Sequence, residues 1–139
     1  MKSWMHSFFV MCMVTALVCS CKKGNDVFAI AGEWGVKSIT MTTSGGETER
    51  LEEMPKNQYY HRLEFKPDGT LVRTYDLTNT VNYGDYVFNA FSGSLQYKYD
   101  GQTKYINAIV MVNSPRDITI TADLGSVGRD IYHAVRISR

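Results

Sequence analysis

The chain has 139 residues, of which 44% are hydrophobic and 21% charged, a composition typical of one globular domain. Fifteen basic residues against fourteen acidic ones give a net charge of +1, and no stripe of lysine or arginine follows the chain. The length excludes a multidomain enzyme, and the charge balance argues against nucleic acid as a partner.

The N-terminal segment has the pattern of an export signal. A short polar start that carries Lys2 precedes an unbroken apolar run from Phe8 to Val18. A bilayer span needs about 20 apolar residues, whereas the apolar region of a signal peptide takes roughly 7 to 15. The run therefore predicts a cleaved signal peptide, of either the ordinary or the lipoprotein type.

The residues after this run resemble a bacterial lipobox. Val18 stands at the aliphatic position, Ser20 at the small-residue position and Cys21 at the position that is modified. The resemblance implies a lipoprotein signal peptide over residues 1–20 and a lipidated tether over residues 21–30, with diacylglycerol on the Cys21 thiol. Two or three acyl chains anchor a protein stably. Membrane lipid is thus the first expected partner, and we expect a location on the outer membrane of the cell envelope, facing the periplasm.

All cysteines of the chain, Cys12, Cys19 and Cys21, lie at this end. Once Cys21 is acylated, the mature domain has no thiol for a disulfide or a metal, so its fold must rest on its core. Cleavage also removes Lys2 and leaves the mature domain electrically neutral.

Alternating polar and apolar residues, rich in β-branched and aromatic types, predict strands throughout the mature chain. Pro67-Asp68-Gly69 and Asp100-Gly101 are the clearest hairpin turns. Short connections predict an antiparallel meander, and about eight strands close a sheet into a barrel without free edges. We therefore expect an all-β, eight-stranded antiparallel up-and-down barrel over residues 31–139, with a two-sheet β-sandwich as the alternative. The predicted strands are residues 35–42, 59–66, 70–78, 81–90, 94–99, 103–112, 117–122 and 130–138.

Two short motifs make the mature chain resemble the lipocalin-like lipoproteins of Bacteroidetes. Gly32-Glu33-Trp34 matches the G-x-W opening of lipocalins, and the segment from Leu63 to Thr70 matches the second-strand hairpin of the short lipocalin-like domains. The resemblance implies that Trp34 closes the barrel floor and stacks on an arginine near the C-terminal end. Arg136 is our candidate for that arginine and Arg129 the second choice.

The first hairpin turn determines which side chains face the interior. A Pro-Asp-Gly turn pairs Lys66 with Thr70 and places Phe65 opposite Leu71. Counting by twos from this pair defines the inner face, and tyrosines, which offer an apolar wall with a polar tip, extend it. Half-buried strands also favour tyrosine for packing alone. The candidate lumen residues are His61, Leu63, Phe65, Leu71, Arg73, Tyr75, Tyr97 and Tyr105.

Arg73 is the one formal charge on this inner face. An arginine inside a barrel is costly unless it is paired, which makes Arg73 a candidate anchor for a ligand carboxylate or phosphate. The alternatives are an ion pair with Glu64 or Asp76, or a shorter turn that points Arg73 outward.

The long connection over residues 43–58 is polar apart from Leu51 and Met54. Residues 49–54 predict a short helix that ends before Pro55 and carries Leu51 and Met54 on one face. In a lipocalin-like barrel this connection crosses the open mouth, so it is a candidate lid, with a solvated loop of no further role as the alternative.

The sequence lacks the motifs that bring catalysis or a cofactor, such as a nucleophile elbow, a phosphate loop or a zinc-protease helix. The mature domain has only two histidines, His61 and His133, far apart in the chain. We expect no enzyme, no metal and no cofactor.

Two functions remain open. One is binding of a small hydrophobic or amphipathic ligand in the lumen; the other is a filled barrel that binds another envelope protein through its surface. A cavity below roughly 300 Å³ would count against a drug-sized ligand.

Overall fold

A computed structural model describes residues 28–138, which form nine antiparallel strands and one short 3-10 turn, Gly125–Val127. The strands are β1 Gly32–Thr43, β2 Thr48–Leu51, β3 Arg62–Phe65, β4 Thr70–Tyr75, β5 Thr80–Asn89, β6 Ser94–Tyr99, β7 Ile106–Ser114, β8 Asp117–Asp123 and β9 Gly128–Ser138. The predicted signal peptide, Cys21 and most of the predicted tether lie outside the described residues. No helix within residues 28–138 is long and apolar enough to cross a membrane.

Eight of the strands close into an antiparallel barrel. From β3 to β9 each strand pairs with its neighbour in chain order, and β1 closes the ring by pairing with β3 on one edge and β9 on the other. The contact between β1 and β9 runs from Glu33 opposite Ser138 to Thr43 opposite Gly128. The all-β up-and-down barrel is confirmed, and its architecture is compatible with a lipocalin-like fold. The sandwich alternative is wrong, because the sheet closes on itself.

The predicted helix over residues 49–54 is wrong. Residues Thr48–Leu51 form β2, which pairs with the last part of β1 so that Leu51 lies opposite Ile39. A six-residue helix is unstable by itself, whereas pairing with an unoccupied strand edge satisfies the backbone groups of both segments. Tertiary pairing therefore overrides the local helix signal.

The chain after β2 stays along the same edge of β1. The Met54 amide donates to the Lys37 carbonyl at 2.9 Å, and the Tyr60 amide donates to the Val36 carbonyl at 3.0 Å, just before β3 takes over the edge. The prediction that this connection, with Leu51 and Met54, forms a lid is therefore wrong. The connection is part of the barrel wall and does not cross the mouth.

Lys37 fixes this connection in place. A β-bulge leaves Lys37 without a partner residue in β9, and only 7% of the residue is exposed. Its ammonium group donates to the carbonyl oxygens of Pro55 and Gln58 and lies 5.4 Å from the centre of the Tyr59 ring. The sequence gives no signal for this role, because the bulge that creates it depends on the closure of β1 against β9.

Apolar and aromatic side chains fill the barrel interior. Alternation places every second residue inside, as in β8, where Ile118, Ile120 and Ala122 are buried and their neighbours are not. The largest side chains with less than 2% exposure are Trp34, Phe65, Leu71, Leu95, Ile118 and Ile120. We call the end of the barrel at Trp34 the floor, and the opposite end, where Thr43 meets Gly128, the mouth.

The floor is closed by the contact expected from the sequence. The Arg136 guanidinium lies 4.2 Å from the centre of the Trp34 ring and donates to the carbonyl oxygens of Ala31 at 2.9 Å and Ala29 at 2.8 Å. The Trp34 indole donates to the Ile30 carbonyl at 2.8 Å. Both side chains stabilise the floor, as the resemblance implies for this pair.

Candidate binding site

The register of the first predicted hairpin is confirmed. Phe65 lies opposite Leu71, and the Lys66 amide donates to the Thr70 carbonyl at 2.9 Å. Gly69 has a φ of 89°, the left-handed conformation that the turn requires and that glycine adopts without strain. The inner face of β3 and β4 is therefore the one that the turn predicts.

Most candidate lumen residues lie on the inner side of the wall. Buried or half-buried within the barrel are His61, Leu63, Phe65, Leu71, Arg73, Tyr75 and Tyr97. The prediction that Tyr105 lines the lumen is wrong. Tyr105 is 43% exposed, precedes β7, and lies 5.0 Å from the ammonium group of Lys98. The inner positions of β7 are Ala108 and Val110, so Tyr105 has the opposite parity.

Arg73 lies on the inner face of β4, surrounded by tyrosine rings. Its guanidinium carbon is 4.7 Å from the centre of the Tyr99 ring, 5.7 Å from that of Tyr75 and 6.0 Å from that of Tyr132. One of its terminal nitrogens donates to the Tyr75 hydroxyl at 3.0 Å. Contacts between a guanidinium and an aromatic face contribute about 0.5 to 2 kcal/mol each, which offsets part of the cost of burying the charge.

No carboxylate of the described residues pairs with Arg73. Asp76, one of its two predicted partners, accepts instead from the Arg62 side chain at 2.7 Å, and Arg62 also reaches Glu33 at 3.2 Å. Glu64, the other predicted partner, is exposed on the outer side of β3. Burial of a charge without a counter-charge costs several kcal/mol, so Arg73 is the energetically unusual residue of the interior.

Three buried side-chain atoms lack a hydrogen-bond partner among the described residues, and all three lie around Arg73. They are Nε2 of His61, Nε of Arg73 and the hydroxyl of Tyr99. His61 belongs to the same group, because its ring centre is 5.6 Å from that of Tyr75 and 5.5 Å from that of Tyr132. An unmade buried hydrogen bond costs about 1 to 3 kcal/mol, so such atoms in a cluster indicate a group that the protein itself does not supply. We call His61, Arg73, Tyr75, Tyr99 and Tyr132 the Arg73 cluster.

The Arg73 cluster holds a single positive charge. Burial, together with the nearby charge of Arg73, lowers the pKa of His61 to about 3, so its imidazole is neutral at physiological pH. Burial raises the pKa of both Tyr99 and Tyr132, so these phenols keep their protons. The Tyr132 hydroxyl donates to Asp130 at 2.8 Å, toward the mouth. The cluster thus combines one guanidinium with neutral hydrogen-bonding groups.

The free space in the lumen is small. A cavity of about 10 Å³ lies beside Arg73, lined by Tyr97, Tyr99, Tyr132 and apolar side chains. This volume suits about one water molecule, whereas pockets for drug-sized ligands start near 300 Å³. The free space next to Arg73 therefore has room for about one water molecule.

The two histidines of the described chain do not meet. His61 faces the interior, whereas His133, whose neighbours Tyr132 and Ala134 point inward, contacts Asp117 at 3.0 Å. Within residues 28–138 no group of three or more His, Cys, Asp or Glu side chains is placed to hold a metal ion.

Sequence reasoning missed two members of the cluster. Tyr99 lies two residues after Tyr97 on β6, so alternation along the strand was a signal that could have found it. Tyr132 lies opposite Ile39 of β1, beyond the bulge, and its position depends on how β1 and β9 pair.

Comparisons of the chain with protein-family models, with curated proteins and with solved structures found no match.

Proposed function

We propose that this protein is a non-enzymatic bacterial lipoprotein that binds the carboxylate of a small amphipathic molecule at the Arg73 cluster. One observation carries the proposal: a buried guanidinium has no carboxylate partner and lies beside two further buried polar atoms that also lack partners. A buried unpaired charge is disfavoured for stability, so its presence is better explained by a ligand than by packing.

The donors of the cluster suit a carboxylate. A guanidinium presents its N–H groups in a planar fork that matches the two oxygens of a carboxylate, and such charge-assisted bonds are about twice as strong as neutral ones. The Nε–H of Arg73 and the hydroxyl of Tyr99 are both unused. A carboxylate at this point would satisfy both and neutralise the one charge of the cluster.

The small volume of the lumen limits how much of the ligand enters. Because the space beside Arg73, about 10 Å³, holds about one water molecule, a carboxylate enters only if the surrounding side chains move aside, and the apolar part of the ligand stays at the mouth. Two exposed apolar side chains, Leu77 between β4 and β5 and Val127 before β9, lie at that end and offer it a contact. The barrel therefore holds the ligand by the ligand's anionic head group and does not enclose the whole molecule in the lumen.

The cellular location in this proposal rests on the sequence. The lipobox-like residues ending at Cys21 support lipid attachment in the cell envelope, on the periplasmic side of the outer membrane. The resemblance to lipocalin-like lipoproteins of Bacteroidetes supports the same placement.

The test is a titration followed by nuclear magnetic resonance. With ¹⁵N-labelled mature protein, the Nε–H resonance of Arg73 is expected to shift saturably as sodium octanoate is added, and not with the same concentrations of sodium chloride. Arg62 is the internal control, because its Nε already donates to Asp76. An unchanged Arg73 resonance at millimolar octanoate, or equal shifts at both arginines, would contradict the proposal.

Arg73→Met serves as the matching variant, because methionine keeps much of the volume and removes the charge. The variant should retain a cooperative unfolding transition and lose the response to octanoate. If it binds octanoate as tightly as the unsubstituted protein, Arg73 is not the anchor.

The second candidate is a filled barrel that binds another envelope protein through its outer surface. The small free volume of the lumen favours it, because such a module needs no cavity. Native mass spectrometry of the mature protein extracted from its own envelope separates the two. A retained small carboxylic acid near one-to-one ratio supports the ligand function, whereas a ligand-free mass with a stoichiometric protein partner supports the second.

A further inference from the structure

Five exposed apolar side chains belong to the parts of β5, β7 and the turn between β5 and β6 that lie toward the floor end of the barrel. We call them the floor patch: Val87, Phe91, Ile109, Met111 and Val112. Phe91 is the most exposed, at 93%, and stands in the turn between β5 and β6. Single exposed apolar residues are ordinary on a protein surface, whereas a group of five marks a surface that contacts something.

The strand pairings bring β7 beside the turn that carries Phe91. The Val110 amide donates to the Gly93 carbonyl at 2.7 Å, so the last part of β7 runs beside the turn that carries Phe91. Ile109 lies opposite Ser94 at the start of β6. Because Ala108 and Val110 point inward, Ile109 and Met111 point to the outside.

The chain enters the barrel at the same end. Phe28 packs against Trp34, with ring centres 6.0 Å apart, and against Phe88 of β5, with ring centres 6.2 Å apart. Phe88 immediately follows Val87 and lies three residues before Phe91. Phe28, the first described residue, therefore lies at the floor end, near the turn that carries Phe91.

The short distance in sequence between Cys21 and Phe28 limits how far the barrel can lie from its anchor. Seven residues span at most about 25 Å when fully extended. Lys22 and Lys23 within this stretch favour an even closer approach where the headgroups are anionic. A bilayer that holds acylated Cys21 is thus within reach of the floor, and the mouth is the more distant end.

We propose that the floor patch rests on the interface of the lipid bilayer in which Cys21 is anchored, so that the mouth faces away from the membrane. The inference rests on the lipid attachment in the proposed function and adds an orientation to it. Apolar side chains at an interface enter the boundary between headgroups and acyl chains, as amphipathic helices do. This orientation also keeps the mouth of the barrel on the aqueous side.

The experiment uses the mature lipoprotein in phosphatidylcholine vesicles, with tryptophan placed at either end of the barrel. Phe91→Trp reports the floor patch, and Leu77→Trp, at a position 82% exposed at the mouth, is the matched control. The only other tryptophan of the mature chain, Trp34, is fully buried and contributes the same background to both variants. Thermal unfolding establishes that both variants are folded.

Brominated acyl chains are expected to quench Phe91→Trp roughly twofold or more relative to Leu77→Trp, with a shift of its emission to shorter wavelength, because only the floor reaches the interface. Equal quenching at the two ends in vesicle-bound protein would overturn the orientation and leave the anchor intact. Failure of the protein to float with vesicles would overturn the anchor and the orientation together. An emission shift that needs high protein density would indicate self-association through the patch and would also contradict the proposal.

Discussion

Arg73 and Arg136 show how different the role of one residue type is in the interior and at the floor of the barrel. Arg136 lies over Trp34 and donates to two backbone carbonyls, so its hydrogen-bonding capacity is used by the fold. Arg73 contacts tyrosine rings and one hydroxyl, and its Nε is unused. The contacts of Arg136 stabilise the floor of the barrel, whereas those of Arg73 leave one of its N–H donors without an acceptor.

His61 should make the stability of the barrel depend on pH. Its pKa is about 3 in the folded protein and near 6.5 in the unfolded chain, so between these values the unfolded state binds a proton that the folded state excludes. The contribution of His61 to the free energy of unfolding is therefore complete above pH 6.5. It falls on acidification, by about 1.4 kcal/mol per pH unit at most. Urea unfolding at pH 7, 6 and 5 measures the effect.

The control for this prediction is His61→Gln, which removes the titrating group and leaves the carboxylates and His133 unchanged. The difference in unfolding free energy between the two proteins should grow in favour of the variant as the pH falls. If the two free energies change in parallel from pH 7 to 5, His61 does not carry the pH dependence.

At the scale of the elements, strand edges determine where the chain goes. β1 is paired by β9 along one edge, and on the other edge successively by β2, Met54, Tyr60 and β3. A barrel leaves no room for an unpaired edge, because free backbone groups invite pairing with other chains. The connection predicted as a helix and lid is used to fill this gap.

The strands β5 and β6 approach each other so closely at Gly84 that the site has no room for a Cβ. A Cβ at this position would lie 2.1 Å from the Lys98 carbonyl oxygen and 2.9 Å from Cα of Tyr99, both of them backbone atoms. Gly84→Ala must therefore displace a strand, and we expect it to lower the free energy of unfolding by about 3 kcal/mol. Gly45→Ala is the control, because the nearest atom to its Cβ is Oγ1 of Thr43 at 3.7 Å. Equal melting temperatures for the two variants would contradict the close approach.

At the scale of the whole molecule, the filled lumen makes the interior a core rather than a container. Leu95 is buried in this core, and Leu95→Ala should cost about 2 to 5 kcal/mol, the range for a leucine whose cavity does not collapse. Val87→Ala, on the outer face of β5, should change stability by less than about 0.5 kcal/mol. Denaturant unfolding compares the two.

A second measurement tests the same prediction. The cavity opened by Leu95→Ala is apolar and should take up benzene, which raises the melting temperature of the variant and leaves that of the unsubstituted protein unchanged. Stabilisation of the unsubstituted protein by benzene would indicate that the lumen is hollow in solution.

The sequence by itself determined the features that depend on neighbouring residues. The turn at Gly69 settles the register of β3 and β4, and from it follow the inward positions of Phe65, Leu71 and Arg73. Alternation along the chain identified the eight strands that close the barrel, though not β2, and the class of fold, since a side chain and the one two residues away share a face of a strand. The resemblance of Gly32-Glu33-Trp34 to the G-x-W opening of lipocalins implied a contact of Trp34 with an arginine near the C-terminal end, and Arg136, the first candidate, makes it.

Only the tertiary structure decided the features that depend on closure of the barrel. The hydrogen bonds from Arg136 to Ala31 and Ala29 join residues more than a hundred positions apart, and the bulge at Lys37 and the placement of Tyr132 follow from the same pairing of β1 with β9. Whether the lumen is filled, and whether Arg73 finds a carboxylate, depends on side chains from several strands that meet only when the ring closes. Local preferences do not specify such long-range packing, because the neighbours that compete for each inner position belong to distant parts of the chain.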